Sequence, residues 1–145
     1  MSELLNRLAV ANRIAKSAGQ VTLKYFQTDN FSVDFKGDGS PLTNADRESE
    51  THLRSEIEAA FPDDAIVGEE FADKPGTSGY GWILDPIDGT KSFISGVPLY
   101  GTMVAVEKID ADPTTGRHAV IGSVYFPGLD EGIYAAKGQG AFSFQ

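Results

Sequence analysis

Apolar residues recur at spacings of three and four through the first part of the chain: Leu4, Leu8, Ala11, Ala15, Ala18, Val21 and Tyr25. That period lays one stripe along a helix, capped by Ser2 and ending near Gln27. Phe31, Val33 and Phe35 then alternate with polar residues, which is the period of a strand. Lys36 to Pro41 reads Lys-Gly-Asp-Gly-Ser-Pro, a loop with two flexible glycines. Thr43 caps a second helix, and Asp46 at its third position comes close to a capping box. Leu53, Ile57 and Ala60 face the core from this helix, and Phe61-Pro62 ends it.

Strand patterns dominate the remainder. Ala65 to Val67 is a short apolar strand leading into Gly68-Glu69-Glu70, and Asp73 to Gly79 is a loop by composition. Gly81 to Leu84 is a second short strand running into Asp85, where Pro86 is expected to stop it. Gly101 to Val106 and Ala119 to Phe126 flank a polar hairpin turn, Asp110 to Arg117. Gly132 to Ala136 follows the Pro127-Gly128 turn. After Gly138-Gln139-Gly140, Ala141 to Phe144 begins another strand. Two helices followed by hairpin-linked strands predict an α+β fold, with two N-terminal helices packed on a mostly antiparallel sheet. There is no internal repeat. A strand that opens at the last residues raises the expectation that the chain is cut short.

Composition narrows the picture only slightly. The 145 residues are enough for one domain with its own core, and 41% hydrophobic residues fit a soluble globular protein. No apolar run is long enough to span a bilayer. Met1 to Arg7 lacks the basic and apolar regions of a secretory signal. There is no cysteine, which excludes disulfides and thiolate zinc sites and is compatible with a cytoplasmic location. Twelve basic against 21 acidic residues, net −9, speak against a nucleic-acid partner. An acidic chain can still take phosphorylated molecules when metal cations neutralise both sides.

Three stretches hold candidate chemistry. Asp85-Pro86-Ile87-Asp88-Gly89-Thr90 puts two carboxylates around a tight turn, where they and the Ile87 carbonyl can converge on a hard cation. Free amides at the start of the next segment, Gly89 and Thr90, suit phosphate. The same turn also reads as an ordinary helix cap. A Ca²⁺ loop is excluded, because the alternating acids are missing and position twelve is Gly96. An aspartyl-phosphatase motif is excluded by the spacing of three. Gly68-Glu69-Glu70 would project from a strand end into the same region, although paired glutamates are commonly a solvated surface. Thr43-Asn44-Ala45-Asp46 is a good helix cap in its own right.

The combination is more specific than its parts. In order the chain carries Lys36-x-Asp38-x-Ser40-Pro41-x-Thr43-x-x-Asp46, then Gly68-Glu69-Glu70, then Trp82-Ile83-Leu84-Asp85-Pro86-Ile87-Asp88-Gly89-Thr90. This series resembles the N-terminal part of the inositol-monophosphatase-like family of metal-dependent phosphatases. The resemblance runs from the first helix to Gly140. It implies the N-terminal, metal-binding part (residues 1–145) of a layered α/β/α/β/α sugar-phosphatase fold, with a C-terminal domain absent from this chain. It implies two or three Mg²⁺ ions, with Mn²⁺ as a substitute. Glu69, Asp85, the Ile87 carbonyl and Asp88 would be their ligands. Asp46 and Thr90, with Glu69, would orient the attacking water. Gly89 and Thr90 amides would hold the phosphate, and Lys36 and Asp38 match a mobile loop near a further metal position. No role falls to His52 or His118.

The implied reaction is hydrolysis of a phosphate monoester on a small metabolite, by a homodimer without membrane or nucleic-acid partners. Thr90 to Thr102 is similar to the histidinol-phosphatase branch, which points to histidine biosynthesis. Inositol monophosphatase and 3′(2′),5′-bisphosphate nucleotidase are the alternatives, because the Ser40-Pro41-x-Thr43 loop is shared among branches. There is one departure: the family's Trp-Asp-x-Ala motif, whose aspartate completes the metal site, is missing. A truncated, non-catalytic metal- or phosphate-binding module therefore stands as a further alternative.

Overall fold

The computed structural model describes residues 2–39, 41–112 and 115–145. Ser40 of the loop motif lies outside the described residues, as do Pro113 and Thr114 of the predicted hairpin turn.

The first helix, α1 (Glu3–Leu23), is capped by the Ser2 hydroxyl, which accepts from the Leu5 amide at 3.1 Å. It ends four residues earlier than its apolar stripe predicts. Its buried face is also rotated from that stripe: Arg7, Ile14, Gly19 and Thr22 are buried with Ala11, Ala15 and Ala18. Strands β1 (Val33–Phe35) and β2 (Pro41–Thr43) pair antiparallel as a separate small ribbon. The alternating pattern predicts only the first of these. The second helix, α2 (Asn44–Ala60), starts on a full capping box. The Asp46 amide donates to Thr43 Oγ1, and the Thr43 amide donates to Asp46 Oδ2. Ala60, expected in the core, is exposed at its end.

A six-stranded sheet follows, with spatial order β3 (Ala65–Val67), β4 (Tyr80–Asp88), β5 (Gly101–Ile109), β6 (Arg117–Phe126), β7 (Glu131–Ala136) and β8 (Gly140–Phe144). All neighbours are antiparallel except β3 and β4. A short helix, α3 (Thr90–Ile94), interrupts the path from β4 to β5. The expected α+β class, two N-terminal helices on a mostly antiparallel sheet, is what the chain adopts.

Both long helices cover one face of this sheet. Alternation along the strands sends Trp82, Leu84, Val104, Val106, Ile121 and Tyr125 into a core with Ile14, Leu53 and Ile57. The other face carries Ile83, Met103 and Ile133, all exposed. A second, smaller core of Ile87, Phe93, Tyr100 and Ala45 lies under the β4–α3 turn. There Phe93 meets Tyr100 edge to face, with centroids 5.1 Å apart, and the Tyr100 hydroxyl is 2.9 Å from Thr22 Oγ1. Edge-to-face packing of this kind fixes ring orientation as well as burying area. It ties the turn that follows Asp88 to the end of α1.

Candidate active site

Parallel pairing assembles the acidic residues. Ala65, Ile66 and Val67 lie opposite Gly81, Trp82 and Ile83. Two adjacent strands of the same direction deliver their C-terminal ends to one place. Carrying that register forward sets Glu69 alongside Asp85. The N-terminus of α2, with Asp46, and the start of α3, with Thr90, close the other sides.

The strand does not stop at Pro86 as its sequence suggests. Asp85 lies opposite Met103 and Asp88 opposite Gly101, so β4 has one residue more than β5 over this stretch. This is a β-bulge, which tolerates the missing proline N–H and re-aims the side chains around it. The buried Thr102 hydroxyl donates to the Pro86 carbonyl at 2.9 Å and holds the bulge in place. Gly89 follows at φ +93°, and a Cβ there would stand 3.1 Å from the Leu99 carbonyl oxygen. Glycine is the residue that takes this conformation without penalty.

The result is a cleft of about 320 Å³. Of the residues singled out from sequence, Lys36, Asp46, Glu69, Asp85, Ile87, Asp88, Gly89 and Thr90 line it. Asp38 is exposed and does not reach its wall. Neither histidine is near: His52 is 2.8 Å from the Ser17 hydroxyl, and His118 is 3.1 Å from Asp110. A larger hollow of about 550 Å³ beside Phe126, Ile133 and Phe144 offers one acidic side chain, Glu131, and little else that could react.

Thr90 and Asp46, paired in role by the resemblance, each bond elsewhere. The Thr90 hydroxyl donates to the Ile87 carbonyl at 3.2 Å, and Asp46 Oδ2 instead accepts from Thr43 Oγ1 at 2.6 Å. Among the described residues, no three acidic or histidine side chains close around one point.

The cleft concentrates negative charge. Burial pushes the Asp85 carboxyl up, and the charges of Glu69, Asp88 and Asp46 push it further, to about 7. Lys36 opposes this only in part. Asp46 is also raised, by burial, against the hydrogen bonds from Thr43. Lys36 Nζ lies 3.3 Å from Glu70 Oε1 and 3.6 Å from Glu69 Oε2. Burial would lower the Lys36 pKa, but Glu70, Glu69 and Asp46 together raise it. One ammonium thus serves several carboxylates. The donors are all hard oxygens, the set that Mg²⁺ selects.

Sequence reasoning gave Glu70 no role, yet its carboxyl is almost fully enclosed in the cleft wall. It also passed over Glu50 and Arg54. Glu50 carried a signal: a carboxylate one turn after Asp46, on the stripe that continues to Leu53 and Ile57. An acid on the buried side of an amphipathic helix needs partners.

The inositol monophosphatase family matches residues 3–145. A histidinol-phosphatase of Chlorobaculum parvum is 46% identical over 135 residues, covering 93% of this chain and 49% of its own length. An inositol-1-monophosphatase of Rhizobium meliloti is 34% identical over 143 residues, covering 97% of this chain and 50% of its own. Among solved structures, the extragenic suppressor protein SuhB of Bartonella henselae superposes with a TM-score of 0.85 at 30% identity. That match covers 94% of this chain and 51% of SuhB. The chain spans about half the length of the curated relatives it matches. With the family match running from α1 to the last strand, the chain belongs to the inositol monophosphatase family.

Proposed function

We propose that this chain forms the metal-binding half of a Mg²⁺-dependent phosphate monoester hydrolase, and that the substrate is histidinol phosphate. The observation that carries the reading is the cleft where β3 and β4 end. It collects Asp46, Glu69, Glu70, Asp85 and Asp88 with two lysines, Lys91 and Lys36, the latter ion-paired with Glu69 and Glu70. Such a cluster is short of positive charge, and a phosphate could not enter it without added cations.

Glu69, Asp85, Asp88 and the Ile87 carbonyl would hold the metal. When bound, Mg²⁺ neutralises phosphate oxygens and acidifies a coordinated water. The chain's own groups do the rest. Asp46, buried with a raised pKa, is suited to accept a proton from water. Thr90 joins it by turning its hydroxyl from the Ile87 oxygen toward the cleft. Gly89 and Thr90 amides orient the phosphate. Lys36 offsets part of the charge of Glu69 and Glu70. Water attacks phosphorus, the ester P–O bond breaks, and the alcohol leaves after taking up a proton from solvent; no side-chain nucleophile is required.

The choice of substrate rests on the Thr90 to Thr102 segment and on the histidinol-phosphatase relative, which is more alike than the inositol-1-monophosphatase. The test compares kcat/KM for histidinol phosphate, inositol 1-phosphate and adenosine 3′,5′-bisphosphate at fixed Mg²⁺. It uses the longest natural polypeptide that carries this sequence. Histidinol phosphate should lead, and its ranking last would overturn the substrate assignment. Residues 1–145 alone should release phosphate near background, because the aspartate of the Trp-Asp-x-Ala motif is absent. Full turnover by residues 1–145 would show that this aspartate is dispensable.

A further inference from the structure

Residues 69–72 carry two cleft carboxylates but belong to no strand or helix. Something else must hold them. Glu50, fully buried on α2, takes the Glu69 amide at 2.8 Å and the Glu70 amide at 3.0 Å on Oε1. Its Oε2 takes the Phe71 amide at 3.2 Å and Arg54 Nε at 2.9 Å. Arg54 then reaches past Glu50 to the next carbonyls. Its Nη2 donates to Phe71 O at 3.1 Å and its Nη1 to Ala72 O at 2.8 Å. One helical turn thus grips both the donors and the acceptors of the loop backbone. Gly68 shows how close the grip is: a Cβ there would fall 2.5 Å from the Glu50 carboxyl.

We propose that Glu50, braced by Arg54, is the positioning residue that presets the Glu69–Glu70 loop for metal binding. This rests on the reading that the cleft binds divalent metal. The chemistry favours a carboxylate at this point. Four N–H donors converge on two oxygens, and an ionised carboxylate is acceptor-only. Glutamine would offer one oxygen and turn an NH₂ group against a backbone N–H or the guanidinium. Asp46 sits one turn earlier on the same helix, so α2 sets the water-orienting acid and the ligand loop as one rigid unit. Phe71 is exposed and Glu69 largely so, so the loop adds little to the core. The grip serves the placement of the loop more than the burial of its side chains.

The test uses Glu50→Gln, with Leu53→Ala as a control that loosens the neighbouring core without touching the loop. Two quantities are read well below the melting temperature of each variant: Mn²⁺ affinity by calorimetry, and hydrogen exchange at the amides of Glu69, Glu70 and Phe71. Glu50→Gln should weaken Mn²⁺ binding by about tenfold or more, the usual cost of losing a partner that orients a ligand. It should also speed exchange at those three amides by about tenfold. Leu53→Ala should leave both unchanged despite its lower melting temperature. Should Glu50→Gln fail to fold, Arg54→Lys is read in the same way, with a smaller loss of about threefold to tenfold expected. Wild-type Mn²⁺ affinity in Glu50→Gln or Arg54→Lys, or an equal loss in Leu53→Ala, overturns the proposal. Asp85→Asn separates the two levels of the argument. If it binds Mn²⁺ as well as the wild-type chain does, the metal reading itself fails, and the metal-positioning role falls with it. If it loses binding while Glu50→Gln keeps it, only the positioning role falls.

Discussion

Two carboxylates at opposite ends of the β3–β4 pair behave in opposite ways. Asp64, just before β3, is almost fully buried and fully partnered. It accepts from Arg7 Nε at 2.8 Å, Arg7 Nη2 at 2.7 Å, Trp82 Nε1 at 2.8 Å and the Ser78 hydroxyl at 2.6 Å. Burial would raise its pKa, but these donors win and hold it below the ordinary range. Asp85, at the far end of β4, meets Glu69, Asp88 and Asp46 in place of donors, and rises to about 7. Desolvation acts on both; the neighbours decide the sign. At Asp64 the protein has completed its own charge balance. At Asp85 it has left the balance open, so one end is a structural tie and the other an unbalanced cluster of carboxylates.

The largest effect should come from spoiling the completed end. Arg7 is stacked between the rings of Phe61 and Tyr80, 4.4 and 3.9 Å from their centroids, as well as bonded to Asp64. Arg7→Ala strands a buried carboxylate, and should cost about 3–5 kcal/mol in chemical denaturation. Asp85→Asn, which removes repulsion, should leave the metal-free chain as stable or more so. A large loss from Asp85→Asn in metal-free buffer would erase the contrast.

Next in size is the backbone that shapes the open end. Gly89→Ala forces a Cβ into the left-handed region and toward the Leu99 carbonyl, at a cost of about 1–2 kcal/mol. Urea denaturation measures it, and a neutral result would mean that the turn relaxes freely.

The two ends should also respond to pH with opposite slopes. The depressed pKa of Asp64 gives stability that is present above its unfolded value of 3.8 and is lost as pH falls below it. The raised pKa of Asp85 means the folded chain keeps a proton that the unfolded chain releases. Its contribution therefore declines as pH rises from 3.8 to about 7. Metal-free denaturation across pH 4–7 should show this second slope, and Asp85→Asn should flatten it. An unchanged slope would assign it to other groups.

The sequence made the open end easier to see than the completed one. Thr43 and Asp46 form a local capping box, and Gly68-Glu69-Glu70 and Asp85 to Thr90 are contiguous motifs, so short-range reasoning reached them. The Arg7–Asp64 pair spans 57 positions, and a cation on a helix stripe reads as solvent-facing until the partner strand is known. The bulge at Pro86 is hidden from local patterns for a related reason. Proline argues against a strand interior, and only pairing with β5 shows that the ladder resumes at Asp88. The grip of Glu50 on the loop depends on how α2 docks beside β3, which no local pattern encodes. The parallel register that sets Glu69 beside Asp85 was likewise invisible in a chain whose other sheet pairs are antiparallel.

The most direct test of the open charge balance is calorimetric titration of Mn²⁺ into the wild-type chain and into the Asp85→Asn, Asp88→Asn double variant at neutral pH. The wild-type chain should bind and gain thermal stability that grows with the logarithm of metal concentration once this exceeds Kd. The double variant should lose more affinity than the roughly 10–100-fold that follows from removing a mere outer partner. Equal affinity in the two proteins would contradict the account, because the carboxylates left unpartnered in the cleft would then not be the ones that take the cation.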